Sequence, residues 1–352
     1  MGEVEFTLSE RKKELLLSAV EGYIENALPI TSEKVQSNYF TSLSSATLRN
    51  ELNTLEEMGY LKKLHTSSGR VPTTKAYRYF VDTIIGNISF DSKKIKSVEE
   101  KFVNRSMFLK DVVDELANKI KSFIDYPTVI QIKGYDNLLL EAINIIPLLT
   151  GEALVLIKTN AGIINNTIKL NSNITEENCK DASKFLSTNL GNKKIKDVVE
   201  NFEYYSKMFK SQISYFNELL VSITDMLVDF VENKSSYVAR GKTLKLLETP
   251  ECKDFESAKK FINVLENEEK IKEIVKNIED STEQDIVFSI GNENNEEDLN
   301  EYSIVKANYS LSNGIIASIG VVGPQRLDYA RIASVLKFIA DEIKKDDSEN
   351  NW

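Results

Sequence analysis

The chain has 352 residues, 41% of them hydrophobic and 28% charged, with a formal net charge of -10 at pH 7. That length suits two or three domains with buried cores, and the acidic balance argues against a general nucleic-acid coat protein. No apolar run approaches the ~20 residues that span a bilayer, no signal-peptide pattern opens the chain, and Cys179 and Cys252, far apart, read as reduced and structural, which points to the cytoplasm.

In chain order, Thr7 and Glu10 stand at capping-box spacing, and Leu16, Ala19, Val20, Tyr23, Ile24 and Ala27 form a helical stripe behind them that Pro29 ends. Ser32 is placed to cap a short second helix carrying Val35 and Tyr39, and Phe40 to Leu43 supplies a turn. Ser44 is a good N-cap for a third helix, whose Leu48, Leu52, Leu55 and Met58 recur at spacings that give one buried stripe. Its other face carries Ser45, Thr47, Arg49 and Asn50 near the N-terminus, and Gly59 suits a left-handed C-terminal cap. Tyr60 to Leu64 is a strand candidate, His65-Thr66-Ser67-Ser68-Gly69 a tight polar tip in which Gly69 takes positive φ, and Arg70-Val71-Pro72 the return.

Three helices and a hairpin make a winged helix-turn-helix, in which the early residues of one helix reach base edges and the hairpin rests on phosphates. The DNA-facing set is then Ser44, Ser45, Thr47, Arg49, Asn50, Lys62, Lys63, His65, Thr66, Ser67, Ser68, Gly69 and Arg70, and the partner is double-stranded DNA. The bland alternative is a small helical subdomain with no nucleic-acid role. Charge weighs against it: between Lys34 and Phe80, seven basic residues face three glutamates, although the whole chain is acidic. Such an excess supports counterion-releasing phosphate contacts.

Beyond Asp82, Asn87 to Ser97 looks like a linker, and Leu109, Val112, Val113, Leu116, Ile120 and Ile124 mark a helix ending before Pro127. Strands are expected at Val129 to Lys133, Leu138 to Ile146, Ala153 to Thr159 and Ile163 to Leu170, the last two joined through Asn160-Ala161-Gly162. A helix follows near Glu176 to Leu190. Later strands are expected at Asp285 to Gly291, Ser303 to Tyr309 and Ile315 to Val322, with a closing helix over Tyr329 to Lys344. His65 is the sole histidine, which removes His-based triads and multi-His metal sites. Gly241-Lys242-Thr243 ends like a phosphate-binding loop but lacks the earlier glycine, where Ser236 stands. The chain reads as no enzyme, with no cofactor and no metal.

The segments LSSATLRNELNTLEEMGYL (Leu43 to Leu61), HTSSGRVPTTKAYRYFVD (His65 to Asp82), IGNEN (Ile290 to Asn294) and GVVGPQRLDYARI (Gly320 to Ile332) closely resemble the HrcA family of bacterial heat-inducible transcription repressors. The tip carries Ser67-Ser68 where the family pattern leads one to expect Ser-Ala, a change that keeps the turn chemistry. Between about Asn87 and Ser281 only scattered apolar positions match. The resemblance implies a multidomain α+β protein: a winged helix-turn-helix over 1–86, a linker over 87–105, and a GAF-like domain over 106–170 plus 282–346. A largely helical inserted dimerisation domain would occupy 171–281. It also implies a repressor of chaperone operons that binds the inverted-repeat operator called CIRCE, with activity modulated by the GroEL chaperonin. A small-molecule-sensing regulator using the GAF-like domain is the alternative.

Phe202, Tyr205, Phe209, Ile213, Phe216, Leu220, Ile223, Leu227 and Phe230 follow one another at three- and four-residue steps, a seam that favours helix against helix. Periodicity alone fits packing within one domain. A two-fold operator and the resemblance turn the reading to a homodimer, with Phe209, Ile213, Phe216, Leu220, Ile223 and Leu227 at its interface.

Overall fold

The computed structural model describes residues 8–63, 69–85, 117–149 apart from 119 and 121, 151–170, 174–210, 216–233, 236–239, 255–267, 270, 286–294, 297–310 and 314–349. The architecture is mixed α+β with antiparallel sheets. The first part holds α1 (Glu10–Asn26), α2 (Ser32–Asn38) and α3 (Ser45–Glu57), then a two-stranded hairpin of β1 (Leu61–Lys63) and β2 (Arg70–Pro72), then α4 (Thr74–Ile85). Leu15, Leu16, Ala19 and Val20 of α1, Val35 of α2, Leu48, Leu52 and Leu55 of α3, and Ala76, Tyr77 and Val81 of α4 bury together. The amphipathic spacing of each helix thus becomes one shared core.

Local chemistry accounts for the helix ends. Ser9 precedes α1; Thr7, and with it the expected capping box, lies outside the described residues. Ala27 closes α1 in the left-handed region at φ 53°, two residues before Pro29. The N-cap of α2 is Thr31, whose Oγ1 accepts from Lys34 N at 3.4 Å, and not Ser32, which is buried. Gly59 takes φ +77° just past α3, as its position predicts.

The strands fall into two further sheets. One has the order β7-β3-β10-β9-β8, formed by β3 (Thr128–Lys133), β7 (Ser236–Ala239), β8 (Val287–Ile290), β9 (Tyr302–Ser310) and β10 (Ile316–Pro324). The other is a meander of β4 (Leu140–Pro147), β5 (Glu152–Thr159) and β6 (Gly162–Lys169). The sequence placed β3 to β6 together in the α+β domain and put 171–281 in an insertion. Pairing divides them elsewhere: β4 to β6 form a sheet of their own, whereas β7, from inside 171–281, joins β3 from Thr128↔Ala239 to Gln131↔Ser236. Alternation identifies a strand but not its partner, and these partners are distant in sequence.

Helix α5 (Glu176–Leu190) packs on β4 of the three-stranded sheet, and α6 (Ile195–Glu200), α7 (Phe202–Lys210) and α8 (Phe216–Asn233) follow and pack on one another. Ser183 and Ser187 of α5 accept from the amides of Ile145 and Ile143, both at 2.9 Å, so hydroxyls satisfy the edge of β4 that no strand covers. Residues 255–266 form α9 (Phe255–Glu266), and α10 (Tyr329–Glu349) lies on the five-stranded sheet. Ile332, Val335, Leu336 and Ile339 face inward, and Tyr309 Oη of β9 donates to Leu336 O at 2.8 Å. No helix among the described residues is long and apolar enough to cross a membrane.

Candidate nucleic-acid interface

Helix α3 presents its N-terminal turn outward. Ser44 Oγ accepts from Thr47 N at 3.1 Å and lies 2.9 Å from Thr47 Oγ1, fixing the start of the helix. Arg49 and Asn50 are exposed on the face opposite Leu48, Leu52 and Leu55. Ala46 is exposed beside them, a residue without a hydrogen-bonding side chain and so outside the expected DNA-facing set. Its spacing of three and four from Arg49 and Asn50 was the available signal. Ser45 turns the other way: half-buried, it donates to Ser32 Oγ of α2 at 3.0 Å and ties the two helices. The helix is anchored from below by Glu51, which is buried and accepts from Arg11 of α1, with Lys12 at 3.9 Å.

The hairpin flanks this helix. Leu61↔Pro72, Lys62↔Val71 and Lys63↔Arg70 set its register, and its β2 strand also bridges Ile30, with Ile30 N donating to Arg70 O at 2.7 Å and Arg70 N to Ile30 O at 2.9 Å. His65, Thr66, Ser67 and Ser68 lie outside the described residues. Gly69 is required for a reason other than the expected one. Its φ is not positive, but a Cβ there would stand 2.8 Å from both Ile30 O and Pro29 Cβ, so the close pass of the two chains excludes a side chain.

The basic residues divide into two groups. Arg70, expected to rest on phosphate, is turned inward with its side chain 9% exposed. Its Nε donates to Glu56 Oε2 at 2.9 Å and its Nη2 to Asn53 Oδ1, so it clamps β2 to α3. Lys63 Nζ stands 3.0 Å from the other oxygen of Glu56. Burial raises the Glu56 carboxyl, but the hydrogen bonds from Lys63 and Arg70 outweigh it and hold the group below its usual range. Lys75 Nζ donates to Met58 O at 3.0 Å, at the negative end of α3, and lies over the Tyr60 ring at 4.5 Å. Lys34, Arg49 and Lys62 remain exposed and outward. A polar helix start flanked by outward cations can take bases on one side and backbone phosphates on the other.

A second set of contacts ties this part to the five-stranded sheet. Arg78 of α4 donates through Nε to Glu293 Oε1 at 2.8 Å, through Nη2 to Glu293 Oε2 and to Phe288 O at 2.7 Å, and through Nη1 to Asp82 Oδ1 at 3.2 Å. Thr74 Oγ1 donates to Gln325 Oε1 at 3.2 Å, and Arg326 Nη1 reaches Ile24 O at 3.4 Å. The sequence blocks around 70–82, 290–294 and 320–332, far apart along the chain, therefore meet at one junction.

The expected dimer residues are placed differently from one another. Ile213 lies outside the described residues, as do the side chains of Phe209 and Phe216. Leu220, Ile223 and Leu227 are buried within the single chain, together with Leu219, Met226 and Phe230, whose ring packs 4.6 Å from that of Tyr135. These three therefore serve the chain's own core, a correction to the expected interface. The burial of α8 is one-sided: Leu219, Leu220, Ile223, Met226, Leu227 and Phe230 share one face and Val221 and Asp225 on the other are exposed, and periodicity marks such a face without saying whether the same chain or a second one covers it.

A family model described as the HrcA protein C-terminal domain matches residues 110–333. A heat-inducible transcription repressor HrcA from Caldanaerobacter subterraneus subsp. tengcongensis is 31% identical over 343 residues, covering 96% of each chain. Another from Clostridium tetani is 29% identical over 347 residues, 98% of this chain and 97% of the relative. A crystal structure described as a hypothetical protein at 2.2 Å resolution shares the fold, with a TM-score of 0.73 at 22% identity over 96% of this chain and 98% of that one. A family match over most of the sequence, carried by full-length relatives, settles the assignment: the chain belongs to the HrcA family of heat-inducible transcription repressors.

Proposed function

We propose that residues 8–85 are a winged helix-turn-helix that binds an inverted-repeat, CIRCE-type operator, with α3 in the major groove and the β1–β2 hairpin as the wing. The observation that carries the reading is the exposed start of α3, where Ala46, Arg49 and Asn50 share one face beside the outward Lys62. Arginine to guanine and asparagine to adenine are favoured bidentate pairings, and a methyl group suits thymine. Asn53, Glu56, Arg70 and Lys75 then hold the helix against the wing rather than touch DNA. The remainder acts as a GAF-like domain with an inserted domain, and the pairing supports placing the insertion around β4 to α6.

One such module reads only a half-site, so the repressor works as a homodimer whose two-fold axis matches the operator. With Leu220, Ile223 and Leu227 inside one chain, the surface left for pairing includes the exposed Ile146, Leu148 and Leu149 at the β4–β5 turn and Tyr204 on α7. Family membership supports control by the GroEL chaperonin: clients unfolded by heat occupy the chaperonin, active repressor falls, and chaperone genes are released. A small-molecule-sensing regulator is the second reading, favoured by one buried lysine described below.

Titrating the full chain against an intact inverted repeat, a single half-site and a scrambled duplex tests the operator reading. Two protomers on the intact repeat, with binding at least tenfold tighter than to the half-site, are expected. Equal affinity for all three duplexes would refute it.

A further inference from the structure

The five-stranded sheet has one apolar and one polar face. Val305, Ala307 and Tyr309 of β9 join the core beneath α10. Strand alternation sends Ile304, Lys306 and Asn308 to the other side. Cross-strand register places Gly320 opposite Lys306, Ser318 opposite Asn308, and Val129 and Gln131 of β3 next in the same two rows. Lys133 lies one row further along β3, opposite Ile316. This face of the described strands β3, β8, β9 and β10 therefore carries two lysines and no carboxylate.

Among the described residues, the Lys306 amine and the Gln131 amide oxygen on this face are buried without a complement. Lys306 is 3% exposed, and no carboxylate among the described residues pairs with it. Burial alone pushes its amine down to about 8. Gln131 Oε1 is buried with no donor among the described residues. A buried ammonium calls for a counter-ion, and a buried amide oxygen calls for an N–H or O–H. Neither demand is met among the described residues. Strands β9 and β3 stand on either side of β10, roughly 10 Å apart, and Gly320 adds no side chain between them. A lysine and a glutamine are both long enough to close that span around a molecule of a few heavy atoms.

We propose that this face is a binding site for a small hydroxycarboxylate, its carboxylate accepting from Lys306 Nζ and its hydroxyl donating to Gln131 Oε1. A sulfate or chloride would answer the lysine but offers nothing to Gln131, so the two unmet groups together select an acid that also carries a donor. Ser318, buried and adjacent, can bond either end. The site is independent of the operator reading, and its test uses no DNA.

The experiment titrates the full chain with glycolate, lactate, malate and citrate, against sodium chloride of matched ionic strength, reading the thermal midpoint. At least one hydroxy acid should raise the midpoint by several degrees, and Lys306→Met should weaken its binding at least tenfold. Lactate should bind better than propionate, and Gln131→Leu should erase that difference while leaving propionate unchanged. Should Lys306→Met not fold, the wild-type protein still decides. The 13C-dimethylated Lys306 resonance should titrate at least one pH unit higher with the bound acid than without it. A panel that moves neither the midpoint nor that resonance beyond the chloride control overturns the proposal. So does a Lys306→Met protein that responds as the wild type does.

Discussion

Replacing Arg70 separates a structural clamp from a phosphate contact. In Arg70→Gln the side chain keeps the start of its aliphatic stem but loses the donation from Nε to Glu56 at 2.9 Å and that from Nη2 to Asn53. A hydrogen bond to a charged group contributes ~1.5–3 kcal/mol and a neutral acceptor about 1 kcal/mol. Glu56 is about a quarter exposed, so its share belongs at the lower end. The two bonds together then amount to roughly 2–3 kcal/mol of local stability, close to a hundredfold in an opening equilibrium. Native-state hydrogen exchange reads it directly: amides of the second half of α3 and of β2 should exchange about a hundredfold faster. The slope of operator affinity against salt should barely change. Unaltered exchange, with a salt slope reduced by about one unit, would show instead that Arg70 contacts phosphate. The same clamp has a pH signature. Glu56 titrates below its unfolded value near 4.3, so the unfolded chain takes up its proton first. The contribution is fully present above that value and is lost as pH falls through the folded one.

Gly69→Ala should destabilise by about 1–3 kcal/mol through overpacking against Pro29 and Ile30. Gly59→Ala, with nothing within 4 Å but φ +77°, should cost only the ~1–2 kcal/mol of a left-handed alanine; denaturant midpoints compare the two. Arg78→Ala removes three partners at the junction with Glu293, Phe288 and Asp82. It should loosen exchange protection in α4 and around 288–293 together, and loosening confined to α4 would show the two sides to be uncoupled. Leu220→Asp puts charge at a site 1% exposed and should yield unfolding or aggregation by circular dichroism. A folded monomer by sedimentation would return Leu220 to a subunit interface. For Lys306 the folded pKa lies below the unfolded one, so the unfolded chain binds the extra proton between about 8 and 10.5, and stability should rise with pH across that window. Lys306→Met should flatten the rise, with Lys133 on the same face as the remaining titrating amine.

Much of the fold was legible because its signals are local. The stripes of α1, α3 and α10, the Ser44 cap, the left-handed Gly59 and the Asn160-Ala161-Gly162 turn depend on neighbours within one or two turns of chain. Pairing was not legible. Nothing in 236–239 announces that it bonds to 128–131, and the meander β4 to β6 has the same alternation as strands of the larger sheet. The candidate interface shows the same limit. Arg49 and Asn50 were placed outward by helical period, but composition counted Arg70 and Lys75 as free cations. Which cation is left facing outward depends on Asn53, Glu56 and the Met58 carbonyl, partners that the chain brings up only on folding. Likewise, the buried Lys306 and the half-buried Gln131 sit two strands apart, and only the register places them on one face.

Base reading by α3 is tested most directly by the affinity of Arg49→Ala and Asn50→Ala for the inverted repeat and for random duplex at several salt concentrations. Both side chains are exposed, so neither change should disturb the fold. A loss of ~1–3 kcal/mol per substitution is expected on the operator, and much less on random DNA. Equal losses on both duplexes, or none on the operator, would contradict it.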